Sequence, residues 1–89
     1  MARVTINVYT SLREKLGWKT KVVIVNDDAT LEDVVKSVQD LWNALREFIE
    51  RGWTPMILVN GVHADLKGGM RVRVKDGDVI DVFPAAGGG

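Results

Sequence analysis

The chain is organised around Val79-Ile80-Asp81-Val82-Phe83, followed by Pro84-Ala85-Ala86-Gly87-Gly88-Gly89. Asp81 is the single polar interruption of the first five residues, so the segment reads as a strand with apolar side chains on both faces. A strand of that kind belongs inside a sheet, with a neighbour on each side. Beyond it the side chains vanish, and nothing after Ala86 carries a Cβ. Glycine lets other backbone approach closely, so such a tail can thread a cleft too narrow for a bulkier terminus. Six extended residues from Pro84 onward reach about 20 Å. This composition suits a carboxylate presented to another protein's active site, and it is equally that of an idle chain end. The expected organisation is a folded domain over residues 1–84 and a flexible tail over 85–89.

Upstream, Lys75-Asp76-Gly77-Asp78 and Lys67-Gly68-Gly69 are turn signals, with residues 70–74 between them as irregular or weakly extended chain. Residues 56–59 are an apolar run of strand length, and Asn60-Gly61 predicts a type I′ hairpin back into Val62-His63-Ala64. Before these, Thr30 with Asp33 three residues later marks a helix start. Leu31, Val34, Val35, Val38, Leu41, Trp42, Leu45, Phe48 and Ile49 then recur at steps of three and four, a core-facing stripe that Gly52 ends. The pattern predicts one main helix over residues 30–51, long enough for a bend or break between Gln39 and Asn43. At the front of the chain, Val4, Ile6 and Val8 alternate with Thr5, Asn7 and Tyr9, a half-buried strand. Ser11-Leu12-Arg13-Glu14 has the form of a capping box for a short helical turn closed by Gly17, and residues 19–25 form a second strand antiparallel to the first.

Composition narrows the function. Eighty-nine residues allow one domain with one core. Twelve basic and twelve acidic residues cancel, so no overall field draws in nucleic acid or an anionic membrane. No apolar run approaches the roughly 20 residues of a membrane span and no leader pattern opens the chain, which gives a cytoplasmic expectation. Cysteine is absent, which removes disulfides, thiolate metal sites and cysteine nucleophiles. His63 is the only imidazole, expected on a surface strand, and no phosphate-binding or hydrolase motif occurs. The side chains are poorly equipped for catalysis, so the expectation is a non-enzymatic chain that binds no cofactor or metal.

The order strand, strand, helix, strand pair, strand predicts an α+β fold. A mixed sheet of four to five strands carries a helix across one face, the last strand returns parallel to the first, and the C-terminal tail projects from the sheet end. That is the ubiquitin-like β-grasp arrangement. The residues also resemble a known family, the ubiquitin-like sulfur carriers represented by the small subunit of molybdopterin synthase (MoaD) and the thiamine carrier (ThiS). The likeness is carried by Leu12-Arg13-Glu14-Lys15-Leu16-Gly17, Ala29-Thr30-Leu31-Glu32-Asp33, Val59-Asn60-Gly61, Lys75-Asp76-Gly77-Asp78 with the strand after it, and the terminal glycines. Ala85 stands where the molybdopterin branch usually has a second proline, and Gly87 adds a third glycine.

The resemblance implies a mechanism. A partner activating enzyme, resembling those that charge ubiquitin, uses ATP and magnesium to adenylate the carboxylate of Gly89. Sulfur then replaces AMP to leave a thiocarboxylate, with Gly88 and Gly87 as the thread into the partner's nucleotide site. Phe83, Tyr9, Arg13 and Pro84 match family positions for partner docking. The expected partners are that enzyme and the large subunit of molybdopterin synthase, with a monomer when free. Two other outcomes share the architecture: a modifier whose activated Gly89 forms an isopeptide with a lysine, and an interaction domain with an idle tail. Among the remaining aromatics, Trp42 is expected in the core and Trp18 and Trp53 as packing residues at element ends.

Overall fold

The last strand lies where its two apolar faces require, inside a five-stranded sheet. The computed structural model describes residues 1–84; the expected tail at 85–89, with Gly87, Gly88 and Gly89, lies outside the described residues. The chain runs β1 (Ala2–Val8), α1 (Thr10–Leu16), β2 (Thr20–Val25), α2 (Leu31–Ser37), α3 (Gln39–Glu50), β3 (Met56–Val59), β4 (Val62–His63), two 3₁₀ turns at Ala64–Leu66 and Gly69–Arg71, and β5 (Val79–Phe83). The sheet order is β2-β1-β5-β3-β4. β5 is parallel to β1, with Asn7 beside Asp81, and antiparallel to β3, with Met56 beside Phe83. This is the β-grasp topology, with the last strand bonded on both sides.

The period-two pattern of β1 sorts the two faces. Val4, Ile6 and Val8 are fully buried, and Ile80 and Val82 of β5 join them under the helices. Leu31, Val34, Val35 and Val38, then Leu41, Ala44, Leu45 and Phe48, complete the core from the other side. Among the described residues twenty hydrophobic ones are buried and no polar or charged one is, so this core is apolar. At about 1.5–3 kcal/mol for each large side chain, its gross burial is what opposes the chain entropy of folding.

One expectation needs correction. The main helix is two helices, broken at Val38, which is extended (φ −106°, ψ 93°) and serves as C-cap of α2 and N-cap of α3. The break falls one residue before the expected window. Ser37 Oγ donates to the Val34 carbonyl at 2.6 Å and the Val38 N–H donates to Val35 at 3.2 Å, so the last turn of α2 closes tightly on itself. From the other side Trp18 Nε1 donates to Asp40 at 2.9 Å and holds the start of α3 against the β1–β2 end of the molecule. Two members of the apolar stripe also leave the core: Trp42 is half-buried and Ile49 is 60% exposed.

The capping boxes divide. At Thr30 the box forms in full: Asp33 N–H donates to Thr30 Oγ1 at 3.2 Å and Thr30 N–H to the Asp33 carboxylate at 3.0 Å. At Ser11 it does not, because α1 begins at Thr10 with Tyr9 as its N-cap. Tyr9 N–H is spent on the Val82 carbonyl at 3.2 Å, so the sheet fixes where this helix starts. The expected hairpin is present. Asn60 (φ 51°) and Gly61 (φ 81°) are both left-handed, as a type I′ turn demands.

Candidate functional site

Among the described residues no layer covers the side of the sheet opposite the helices. Along β1 and its continuation the residues facing this side are Thr5, Asn7 and Tyr9; on β5 they are Val79, Asp81 and Phe83. The outer strands add Val22 and Ile24, 53% and 52% exposed, and half-buried Met56 and Leu58. An open sheet face with this much apolar surface marks a contact surface.

Its most ordered part is the end from which the chain leaves β5. The parallel register sets Tyr9 beside Phe83, and their rings stack at 4.5 Å between centroids and 9° between planes. Tyr9 Oη donates to Asp81 Oδ1 at 2.8 Å, and Asn7 Nδ2 donates to the same oxygen at 3.1 Å. Thr20 Oγ1 donates to Asn7 Oδ1 at 2.7 Å, extending the network to β2. From α1, Arg13 Nε donates to the Val8 carbonyl at 3.1 Å, and its guanidinium lies 5.4 Å from the Tyr9 ring centroid. The Tyr9 phenol is held above its ordinary pKa, first by the hydrogen bond to Asp81, then by burial and by the carboxylate's charge; Arg13 opposes. The pair therefore keeps a neutral phenol donating to an acceptor.

Tyr9, Arg13 and Phe83, 74 residues apart at the extremes in sequence, thus form one half-exposed cluster at the chain exit. Pro84 follows them but is buried, so it anchors the end of β5. Asp81 and Asn7 organise the cluster and were not among the residues expected from sequence. Their signal was the lone carboxylate in an otherwise apolar strand, which needs a donor on the neighbouring strand. His63 lies on the edge strand β4, where its Nδ1 accepts from the Asp65 N–H at 3.2 Å. Among the described residues no group of three acidic, histidine or cysteine side chains is placed to hold a metal, and no helix is long and apolar enough to cross a membrane. The cluster offers two stacked aromatic faces, a cation and a fixed polar network to whatever meets this end of the sheet.

The sequence matches the model of the ThiS family over residues 6–89. It is 35% identical over 91 residues to small archaeal modifier protein 3 of Haloferax volcanii, covering 94% of this chain and 96% of that protein. The solution structure of small archaeal modifier protein 1 from Methanosarcina acetivorans superposes with a TM-score of 0.78 at 28% identity, over 100% of this chain and 98% of the other. In fold alone, the chain is similar to a protein in the complex of subunits 1 and 2 of the molybdopterin-converting factor from Helicobacter pylori. There the TM-score is 0.60 at 22% identity, covering 98% of this chain and 99% of that one.

Proposed function

The chain belongs to the ThiS family of ubiquitin-like carrier and modifier proteins, and from that premise we propose that it carries an activated acyl group on Gly89. The observation that carries this reading is the juxtaposition at the sheet end. The strand leading to the glycine tail is bonded on both sides, and Tyr9, Arg13 and Phe83 surround the point where it exits. A partner gripping that cluster receives the tail in a fixed direction, with up to about 20 Å of reach into its nucleotide site.

The chemistry proceeds in two steps. A Gly89 carboxylate oxygen attacks the α-phosphorus of ATP, and pyrophosphate leaves, giving an acyl-adenylate. A hydrosulfide then attacks the acyl carbon and expels AMP, leaving a thiocarboxylate; where a persulfide attacks instead, AMP leaves an acyl disulfide, and a second thiol attacks its outer sulfur to release the thiocarboxylate and form a disulfide with the donor. ATP, magnesium and the sulfur source are supplied by the activating enzyme and its partners. The sulfur's destination in this reading is molybdopterin, through a large subunit docked on the open sheet face. The second reading, favoured by the 35% identical relative being a modifier protein, sends the same adenylate to a lysine amine to form an isopeptide.

The test is to incubate the purified chain with ATP, magnesium, a sulfur donor and the activating enzyme of the same cell, beside a chain lacking Gly89, and to take intact masses. The expected result is a gain equal to replacing one oxygen by sulfur, absent from the truncated chain. No gain with an enzyme shown to charge another carrier would overturn the sulfur reading, and conjugates carrying a Gly89 isopeptide would establish the second. Arg13→Glu should raise the activating enzyme's KM about tenfold or more without unfolding the domain, since Arg13 lies on the surface cluster.

A further inference from the structure

The apolar stripe of α3 leaves a gap. Trp42 is half-buried, Ile49 is 60% exposed, and Trp53 stacks on Phe48 at 5.0 Å while remaining 41% exposed. With Leu45, Ile57 and Met70 these side chains line a groove of about 390 Å³ between α3 and the β3–β4 edge. The groove shares no residue with the Tyr9, Arg13, Asp81 and Phe83 cluster, and its Ile57 wall belongs to the helix-covered side of the sheet.

Among the described residues lining the groove, Glu32 and Asp65 contribute carboxylates, His63 completes the edge and no lysine or arginine takes part, with Lys36 standing just outside. Glu32 is already engaged: Lys36 Nζ lies 3.2 Å from its carboxylate and 5.1 Å from the Trp42 ring centroid. Asp65, with its side chain 82% exposed, has His63 Nδ1 at 3.7 Å and no lysine or arginine partner among the described residues. An apolar floor with an available carboxylate beside it fits a ligand that is apolar at one point and cationic at the next. The Ile49 and Trp53 wall is itself exposed, so a continuous chain can enter where a closed cavity would admit only a detached molecule.

We propose that this groove receives a peptide segment of a partner protein, which inserts one large apolar side chain and sets a lysine or arginine against Asp65. Because the groove and the open sheet face are on different sides, that partner binds while the tail is engaged elsewhere.

The experiment is a titration of the isotope-labelled full chain with acetyl-Ala-Phe-Lys-Lys-Ala amide and with its acidic counterpart, acetyl-Ala-Phe-Glu-Glu-Ala amide, read by two-dimensional NMR. Three tryptophans supply three indole reporters, and Trp18, bonded to Asp40 outside the groove, is the internal control. The basic peptide should shift the Trp42 and Trp53 signals saturably and leave Trp18 in place, with the acidic peptide about fivefold weaker. Asp65→Asn should remove that preference. Ile49→Gln, at an exposed position, should weaken both peptides about tenfold without altering the remaining spectrum. Equal affinities, no saturable shift, or shifts confined to the open sheet face would overturn the proposal. So would saturation by phenethylamine with no response to either peptide, which would make the groove a small-molecule site. A concentration-dependent dimer abolished by Leu66→Gln would assign the groove to the exposed Leu66 and Lys67 of a second copy and overturn it as well.

Discussion

Asp81 Oδ1 accepts two hydrogen bonds, from Tyr9 and Asn7, and so fixes how the Tyr9 and Phe83 rings are presented. Replacing it by alanine leaves β5 paired through its backbone but releases the phenol. Tyr9 is the only tyrosine, so an ultraviolet phenolate titration reads it directly. In the native chain the folded-state pKa is raised above 10.0, so folding favours the neutral phenol. That contribution to stability is fully present below the unfolded pKa near 10 and is lost as pH rises through the folded value. In Asp81→Ala the titration should fall back toward 10 and the alkaline loss of stability should lessen; an unchanged titration would show that burial, not Asp81, governs the phenol. Asp33 runs the other way. Its pKa is lowered, first by the Thr30 backbone N–H and then by the Thr30 hydroxyl. Its contribution is present above the unfolded value of 3.8 and is lost as pH falls through the folded one. Asp33→Asn should therefore flatten the acid limb of a urea-midpoint profile below about pH 4.

At the scale of elements, the β3–β4 turn is also a clasp on the last turn of the chain. Asn60 Nδ2 donates to Asp78 at 2.8 Å, and Asn60 Oδ1 accepts from the Val79 N–H at 2.8 Å, so the hairpin is tied to the start of β5. Asn60→Gly keeps the left-handed backbone and loses those bonds, and should cost about 1 kcal/mol. Asn60→Ala adds backbone strain and should cost about 2–3 kcal/mol, a difference that urea denaturation resolves. The turn was legible in sequence because its chemistry is local, and so were the Thr30 box and the central place of β5. The length of the helix pointed to a break near Gln39 to Asn43, beside the one at Val38, but the apolar steps at 34, 35, 38, 41 and 45 continue across it undisturbed and do not fix its residue. What breaks the helix is a Ser37 hydroxyl on its own backbone and a tryptophan 22 residues away reaching Asp40. Ser11-Leu12-Arg13-Glu14 misled for the same kind of reason: a backbone bond from Tyr9 to β5 sets the helix start, and no local pattern records it. The contacts at the chain exit were half legible. Tyr9, Arg13 and Phe83 came from family resemblance, whereas Asp81 meets Asn7 only through a parallel register that spans 74 residues.

For the whole molecule, the two candidate surfaces lie on opposite faces of one sheet: the proposed docking cluster on the open face at the end of β5, and the proposed peptide groove on the helix-covered side. Substitutions on the two should act independently, since they share no residue. The placement of β5 also bears on what happens when the terminus is pulled. A load applied through Gly89 enters a strand flanked by β1 and β3, and β1 runs parallel to it from the opposite end of the chain. Traction between the two termini therefore slides β1 and β5 along their length and stresses their bonds together. Traction between residue 1 and a cysteine introduced as Asn26→Cys, unique in a chain without cysteine, would instead peel the antiparallel β1–β2 ladder one pair at a time. Single-molecule extension should find the first direction markedly the more resistant. A protein hauled by its attachment point would then yield last at the strand that bears the load.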